Sequence, residues 1–480
     1  MIYCIRYEKQ AAAGRGNGGC RMKKLLKGGT VVSGEGMKRA DVLMDGEKIA
    51  RIGRKLEADG DTQVVDVTGC FLFPGFIDAH THFDLDVAGT TTADDFWTGS
   101  RAALKGGTTT VIDFACPNTG ETLHHGLELW HQKADGRTFC DYGFHMTIDD
   151  WNESIRAELP DMFAKGVSSF KMYMTYPAMM VGDRDMYWAL KELKSLGGIC
   201  GVHCENAGVI DGMIAERKNS GQFSPACHPL TRPPYLEAEA VSRLLRIAQA
   251  AEAPVVIVHL TNQEALKEVQ HARDRGQKVY VETCPQYLLL DDSVYFNEDY
   301  SQAARYVCAP PIRDKSQQAL LWKALRRGDI QTISTDHCSF TLEQKDAGRE
   351  DFTKIPGGLP GVETRGELIY SYGVAAKRIT AQRMCLALSE NPAKLYGLFP
   401  RKGHLRPGAD ADIVVYDPGA SHVIQADDCV ANVDYNPYEG FVTAGGIRQV
   451  WLRGNLAVEN GKVLDETPQG RYMARGKCSL

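Results

Sequence analysis

The stretch PGFIDAHTH, residues 74–82, decides the fold of this chain. It places a short apolar run, preceded by Pro and Gly, just before two histidines, His80 and His82, that are separated by one residue. A short apolar run next to turn residues is typical of a buried β-strand. Side chains two positions apart on an extended segment point to the same side, so both imidazoles can bind one metal ion. The stretch therefore predicts a strand with a metal site at its carboxyl end.

Similar apolar runs recur after this stretch and alternate with helical stretches, of which residues 236–251 are the clearest example. The candidate strands are residues 75–79, 109–114, 142–147, 168–172, 199–203, 255–259, 278–282 and 332–336. This alternation predicts βαβ units and, with these eight strands, a (β/α)8 TIM-like barrel of the α/β class. An open doubly wound sheet is the alternative. It is disfavoured because no Gly-x-Gly-x-x-Gly motif follows the first strand.

Short β-rich runs also occur near both ends of the chain, for example at residues 30–32 and 412–416. We expect the two ends to combine into one small domain, with the barrel inserted between them. The predicted organisation is a disordered leader at residues 1–22, a β-sandwich domain from residues 23–73 and 405–465, the barrel at residues 74–404, and a C-terminal tail at residues 466–480. Met22 is a candidate for the true start of translation.

Composition narrows the classes of function. The net charge is −6, and no basic stripe suggests a nucleic-acid partner. No apolar run approaches the roughly 20 residues that a membrane helix needs. The first residues contain no apolar core of a signal peptide. We therefore expect neither nucleic acid nor a membrane as a partner.

The cysteines indicate a reducing compartment. The chain has 14 of them, without a Cys-x-x-Cys pair. In a long chain without a secretory signal this usage is typical of reduced thiols, so we expect a cytoplasmic protein. Cys204 and Cys338 lie beside candidate site residues, and we interpret both as small buried apolar side chains.

Polar residues end several other predicted strands. His203 ends the fifth strand, His259 the sixth and Asp336 the eighth. One such residue alone is usually structural, since a histidine there is more often hydrogen-bonded than a ligand and an aspartate often caps the next helix. In a barrel, however, the carboxyl ends of all strands meet at one face, which carries the active site. The set therefore predicts a shared metal site with His80 and His82.

Lys171 lies inside the fourth predicted strand, between apolar neighbours. A buried ammonium ion is costly, and burial favours the neutral amine. A neutral amine near metal cations can react with carbon dioxide to form a carbamate, whose two oxygens could bridge two metals. The alternative is a lysine in a salt bridge, for example with Asp336.

Taken in order, these motifs resemble the dihydropyrimidinase/hydantoinase family of the amidohydrolase superfamily, and most of all the D-hydantoinase type that includes the phenylhydantoinases. The resemblance covers about residues 25–472. It rests on the segments PGFIDAHTH (74–82), SSFK (168–171) followed by Tyr176, VHCEN (202–206), VHLT (258–261), ETCPQY (282–287) and TDHC (335–338).

The resemblance implies two zinc ions per subunit and a role for each candidate residue. His80, His82 and Asp336 would hold the first zinc, and His203 and His259 the second. Lys171, as N6-carboxylysine, would bridge both. Asp336 would also transfer the proton, and Tyr176 would donate a hydrogen bond to the oxyanion. The reaction implied is ring opening of a cyclic imide or ureide to an N-carbamoyl amino acid.

Two positions depart from the family pattern. Ala309 stands where the family usually has Ser, and Gly357 where it often has Asn. In the family both positions contact the substrate ring largely through main-chain groups. Both are therefore expected to bind substrate here, with ring orientation and substrate range altered.

Several alternatives stay open within and beyond this family. Asp84 occupies a position at which dihydroorotases typically have Arg and allantoinases Asn, which favours uncharged hydantoin or dihydropyrimidine rings. An allantoinase and a dihydropyrimidinase proper are the nearest alternatives. A non-catalytic scaffolding relative is the alternative of another class. The family also implies a homotetramer or a homodimer.

Overall fold

The computed structural model describes residues 22–480, so the predicted leader, apart from Met22, lies outside the described residues. The described chain starts with seven short strands. They are β1 (Lys23–Lys27), β2 (Thr30–Ser33), β3 (Gly36–Arg39), β4 (Asp41–Asp45), β5 (Lys48–Gly53), β6 (Thr62–Asp66) and β7 (Phe71–Pro74).

The opening stretch forms β8 (Phe76–Thr81), which is buried along its whole length. A small hairpin, β9 (Asp86–Val87) and β10 (Thr90–Thr91), follows it. The further barrel strands are β11 (Thr108–Ala115), β12 (Asp141–Thr147), β13 (Ser169–Tyr173), β14 (Ile199–His203), β15 (Val255–Ile257), β16 (Val279–Thr283) and β17 (Thr332–Ile333). Within residues 22–480, these eight strands pair in parallel in chain order.

The first and last barrel strands also approach each other. A parallel bridge joins Thr81 to His337, and the amide of His82 donates to the carbonyl of His337 at 2.8 Å. The hydroxyl of Thr335 donates to the carboxylate of Asp78 at 2.8 Å. These contacts close the barrel beside the predicted metal ligands.

Helices connect the strands and cover the barrel. They are α1 (Phe96–Lys105), α2 (Leu123–Ala134), α3 (Glu153–Ala164), α4 (Asp183–Leu196), α5 (Ala207–Asn219), α6 (Cys227–Leu230), α7 (Pro234–Ala251), α8 (Gln263–Asp274), α9 (Pro285–Leu289), α10 (Tyr300–Ala304), α11 (Ser316–Arg327), α12 (Leu342–Lys345), α13 (Arg365–Ile369), α14 (Ala381–Cys385) and α15 (Asn391–Leu395). Several begin at a side-chain cap, as Asp95 does for α1 and Asn262 for α8. No helix within residues 22–480 is long and apolar enough to cross a membrane.

The end of the chain returns to the first strands. β18 (Ile413–Asp417), β19 (Gly446–Leu452), β20 (Asn455–Glu459) and β21 (Lys462–Val463) join β7, β2 and β3 in one sheet, and β5, β4, β1 and β6 form the other. Leu26, Val42, Leu72, Ile413 and Trp451 belong to one apolar core between the two sheets. The predicted fold class, a TIM-like barrel with a β-sandwich built from both ends, is confirmed.

Two predicted strand ends need correction. The sixth and eighth strands end earlier than predicted, so His259 and Asp336 lie beyond β15 and β17. Their φ angles are +40° and +54°, which an extended strand cannot accommodate. The predicted tail also packs on the amino-terminal end of the barrel: the amide of Met473 donates to the carbonyl of Tyr142 at 2.7 Å, and Arg475 is buried and donates to Ser169 Oγ at 2.7 Å.

Candidate metal centre

Three predicted ligands meet at the carboxyl end of the barrel. Asp336 Oδ1 lies 3.1 Å from His80 Nε2 and 3.2 Å from His82 Nε2. One ligand atom from each residue lies within 4.8 Å of the others. Two imidazoles and a carboxylate are donors that zinc commonly takes in proteins. Residues 254 positions apart therefore form one compact donor set.

The second pair of histidines lies next to this set. The ring centroids of His203 and His259 are 4.5 Å apart, and those of His80 and His259 are 5.5 Å apart. His259 Nδ1 is buried and has no hydrogen-bond partner among the described residues. A buried polar atom without a partner is costly. His203 and His259 are therefore suited to bind a ligand such as a metal ion.

Two glutamates orient the histidines. His80 Nδ1 lies 2.7 Å from Glu282, and His203 Nε2 lies 2.8 Å from Glu205. Arg232 in turn contacts Glu205 at 2.7 Å. A carboxylate on one ring nitrogen fixes the ring and leaves the other nitrogen for a metal. The donor chemistry therefore fits a metal centre.

Lys171 lies between the two groups of ligands. It is 1% exposed, and its Nζ is 3.5 Å from His80 Nε2 and 5.0 Å from the ring centroids of Phe114 and Tyr173. Among residues 22–480, no carboxylate oxygen forms a salt bridge with it, so the predicted alternative of a pair with Asp336 is absent. Burial lowers the pKa of the Lys171 amine.

Burial also sets the charge state of the histidines. It lowers the pKa of His82 to about 4 and lowers the pKa values of His203 and His259. Burial and Lys171 act to lower the pKa of His80, but Asp336 and Glu282 outweigh them and raise it. Neutral imidazole is the form that binds metals.

Two opposing effects also act on the pKa of Asp336. Burial acts to raise its pKa, but the contacts with His80 and His82 outweigh burial and hold the pKa well below the usual range. The group is therefore an ionised carboxylate, the form that ligates a metal or accepts a proton.

Tyr176 lies in the loop after β13, at a φ of +67°. The ring centroids of Tyr176 and His203 are 5.2 Å apart. The guanidinium carbon of Arg232 lies 5.8 Å from the ring centroid of Tyr176. Burial raises the pKa of the phenol, so Tyr176 remains a hydrogen-bond donor at neutral pH. A strained φ in a bulky residue is common at functional sites.

Ala309 and Gly357 lie on two loops that contact each other. The amide of Gly358 donates to the carbonyl of Val307 at 2.9 Å. Gly357 is exposed, and a Cβ on it would meet no atom within 4 Å. Both positions therefore offer main-chain groups, and the structure has room for the Asn that the family often carries.

Asp84 carries less weight for substrate choice than the sequence suggested. Its carboxylate lies 4.0 Å from the ammonium of Lys133 on α2. This neighbour partly offsets the negative charge that would repel an anionic substrate.

Cys204 and Cys338 are buried, and burial raises the pKa of both thiols.

Sequence reasoning assigned no role to Glu205, Glu282 or Arg232. The two glutamates carried a signal, since Glu205 follows His203 by two positions and Glu282 ends a predicted strand. Arg232 carried none, because it lies in the segment between α6 and α7.

Comparisons with known proteins agree with this geometry. The model of the amidohydrolase family matches residues 71–457. A D-hydantoinase of Geobacillus stearothermophilus is 42% identical over 459 residues, which is 95% of this chain and 97% of the relative. A D-phenylhydantoinase of Escherichia coli strain SE11 is 40% identical over 458 residues, 95% of this chain and 98% of the relative. The crystal structure of a dihydropyrimidinase from Brevibacillus agri NCHU1002 is 40% identical, with a TM-score of 0.93, and covers 96% of this chain and 100% of its own.

The chain therefore belongs to the amidohydrolase family. Within that family it groups with the D-hydantoinases and dihydropyrimidinases. This membership implies a binuclear metal centre, and His80, His82 and Asp336 form a candidate ligand group for a metal ion.

Proposed function

We propose that this protein opens hydantoin-type rings by hydrolysing a cyclic amide bond to give an N-carbamoyl amino acid. The observation that carries the proposal is the meeting of His80, His82 and Asp336 at the carboxyl end of the barrel, with His203 and His259 beside them. The names of the relatives, D-hydantoinase and D-phenylhydantoinase, support the substrate class.

The proposed metals are two zinc ions. His80, His82 and Asp336 would hold one, and His203 and His259 the other. Bound zinc lowers the pKa of a water and polarises a carbonyl, which is the chemistry that amide hydrolysis at neutral pH requires. Glu282 and Glu205 hold two of these rings in place from outside.

Asp336 is the proposed acid and base. Its ionised carboxylate can accept the proton of the attacking water and later deliver it to the departing ring nitrogen. Asp336 has a positive φ and lies just beyond its strand, beside the histidines. In this proposal its carboxylate is both a metal ligand and the proton carrier.

Tyr176 is the proposed oxyanion donor. Its phenol keeps its proton, and its ring lies 5.2 Å from that of His203. A neutral donor beside the metal centre stabilises negative charge as it develops on the carbonyl oxygen.

Lys171 is proposed to carry a carbamate that joins the two halves of the metal centre. Support comes from its burial, its lack of a carboxylate partner among the described residues, and its 3.5 Å approach to His80. Reconstitution with zinc and ¹³C-bicarbonate should give a carbamate carbon signal in NMR spectra. A Lys171→Gln variant should lack that signal; the same spectrum from both proteins would exclude the modification.

The substrate class is tested with a panel of hydantoin, 5-phenylhydantoin, dihydrouracil, allantoin and dihydroorotate, with product detection as N-carbamoyl compounds. We expect the highest kcat/KM for the hydantoins and, from racemic 5-phenylhydantoin, an excess of the D product. Preferential turnover of dihydroorotate or allantoin would overturn the proposal.

Dihydropyrimidine ring opening is the second candidate. It is supported by the name of the Brevibacillus agri relative, a dihydropyrimidinase that is 40% identical to this chain. The ratio of dihydrouracil to hydantoin turnover in the same panel separates the two candidates. A non-catalytic scaffolding role is disfavoured, since all six ligand positions are present and lie together; zinc-replete protein without bound metal would favour it.

Assembly as a homotetramer or homodimer is also proposed. Three large side chains on α4, α5 and α7 are about half exposed: Trp188, Val209 and Tyr235. Large apolar side chains exposed on these helices are candidates for burial in a subunit interface. Light scattering after size-exclusion chromatography gives the mass directly, and a monomer would contradict the proposal.

A cytoplasmic location is proposed on the state of the thiols. The cysteines among residues 22–480 are all free, which is typical of a reducing compartment. Cell fractionation tests this expectation, and recovery outside the cytoplasm would contradict it.

A further inference from the structure

Lys345, at the end of α12, is a buried lysine that the proposed chemistry does not use. It is 1% exposed, and no carboxylate among the described residues forms a salt bridge with it. Burial lowers its pKa to about 7. A buried ammonium ion needs polar partners to offset its desolvation, so its contacts identify what it does.

The contacts are three main-chain carbonyls. Nζ lies 2.9 Å from the carbonyl oxygen of Val307, 2.7 Å from that of Pro356 and 2.8 Å from that of Gly358. An ammonium group has three N–H donors, so this arrangement uses all of them. The direction of each bond fixes the carbonyls relative to one another.

These carbonyls belong to two loops at the mouth of the barrel. We name residues 307–311 the first ring loop, which contains Ala309, and residues 355–359 the second ring loop, which contains Gly357. Apart from Lys345, a main-chain hydrogen bond joins the loops directly, from the Gly358 amide to the Val307 carbonyl at 2.9 Å.

Both loops border the metal centre. In the second ring loop, the carbonyl of Leu359 accepts from the amide of Cys338 at 3.1 Å, two residues beyond Asp336. In the first ring loop, the carbonyl of Pro310 accepts a hydrogen bond from the hydroxyl of Tyr287 at 2.9 Å. Tyr287 lies just after β16. Each loop is thus attached to the barrel independently.

We propose that Lys345 is a positioning residue that sets the spacing of the two ring loops, so that their main-chain groups meet the substrate ring. The role rests on the proposed function and on the expectation, implied by the family resemblance, that Ala309 and Gly357 contact the substrate ring. Neither residue has a polar side chain, so both can bind the ring only through main-chain groups. Lys345 sets the placement of the loops that carry those groups.

The test compares Lys345→Met, which keeps the length and removes every donor, with Lys345→Gln, which keeps two. We expect KM for 5-phenylhydantoin to rise at least about tenfold in the Met variant and less in the Gln variant. The kcat per folded, metal-loaded enzyme should change less than KM. A merely structural loss would lower the active fraction and leave KM unchanged.

Lys218→Met is the matched control. Lys218 bonds Asp351 at 2.8 Å and Thr353 at 2.9 Å, just before the second ring loop, and touches neither ring loop. It should retain the KM of the parent enzyme.

A second measurement does not depend on turnover. Hydrogen exchange, followed by mass spectrometry, should become faster in both ring loops of the Lys345 variants, above all at the Gly358 amide. Parent-like KM and exchange in Lys345→Met would overturn the proposal. If that variant does not fold, the same two readouts on Lys345→Gln decide. If the parent enzyme opens no hydantoin ring, the proposed function fails, while exchange still decides the role of Lys345.

Discussion

The two ends of the barrel both bury charged side chains, but they balance them differently. At the amino-terminal end, Asp141, Asp410 and Asp412 have the spacing of a metal site. Lys402 lies among them, with Nζ 2.7 Å from Asp141 and 2.5 Å from Asp412, and Arg453 also contacts Asp141. Protein cations therefore already compensate these carboxylates.

The carboxyl-terminal end is compensated only in part, by Glu282 on His80 and Glu205 on His203. His259 Nδ1 has no hydrogen-bond partner among the described residues, and no carboxylate there forms a salt bridge with Lys171. The spacing of candidate ligands is thus not what separates a metal centre from a structural ion cluster. The difference lies in whether other side chains of the protein already occupy the candidate ligand atoms or leave some of them without a partner.

The strongest test of this comparison is metal removal. A chelator should abolish turnover, and zinc should restore it, since the proposed hydrolysis needs the metal. Metal analysis should find about two ions per parent chain. An Asp410→Asn variant should bind as much as the parent; a lower content would place a metal at the amino-terminal end and break the comparison.

Asp336→Asn is expected to have the next largest effect. Loss of the proton carrier should lower kcat by about 10²–10⁴-fold, because the amide can neither accept the proton nor return it. Steady-state kinetics on metal-loaded protein measure this effect. Activity within a few-fold of the parent would exclude Asp336 as acid and base.

Lys402→Met tests the opposite end. Three buried carboxylates would lose their central cation, which should cost about 3–5 kcal/mol of unfolding free energy. Urea denaturation measures the loss, whereas kcat and KM of the folded fraction should remain those of the parent. A kinetic defect without a stability defect would mean that this end takes part in catalysis.

Tyr176→Phe should reduce kcat by about 10²–10³-fold, the usual effect of removing one oxyanion donor. Folding and metal content should be unchanged, because the phenol has no hydrogen-bond partner among the described residues. Near-normal turnover would remove Tyr176 from the proposed mechanism.

The smallest effect is expected for Gly357→Asn. A Cβ at this exposed glycine meets no atom within 4 Å, so the unfolding free energy should change by less than about 0.5 kcal/mol. Gly358→Ala is the contrasting variant. Its φ is +159° and its Cβ would lie 2.2 Å from the carbonyl oxygen of Cys338, so it should be clearly destabilised. Thermal melts of both variants check the difference.

Much of the barrel and of the candidate site could be predicted from sequence, because the pattern of apolar and polar residues is local to each strand. Apolar runs indicated the barrel strands, and polar residues at their ends indicated His203, His259 and Asp336. The exact strand ends could not be predicted, since the positive φ of His259 and Asp336 depends on packing against neighbouring strands. Their ligand role stays a prediction that the geometry supports.

The sequence by itself determined the order of strands and helices, and with it which face of the barrel carries the histidines. Only the tertiary structure decided which charges are compensated. Glu282 meets His80 across 202 positions, Lys402 meets Asp141 across 261, and Lys345 reaches carbonyls of two separate loops. Hydrophobic periodicity records which side of an element is buried, but contacts between distant side chains exist only after the barrel has closed.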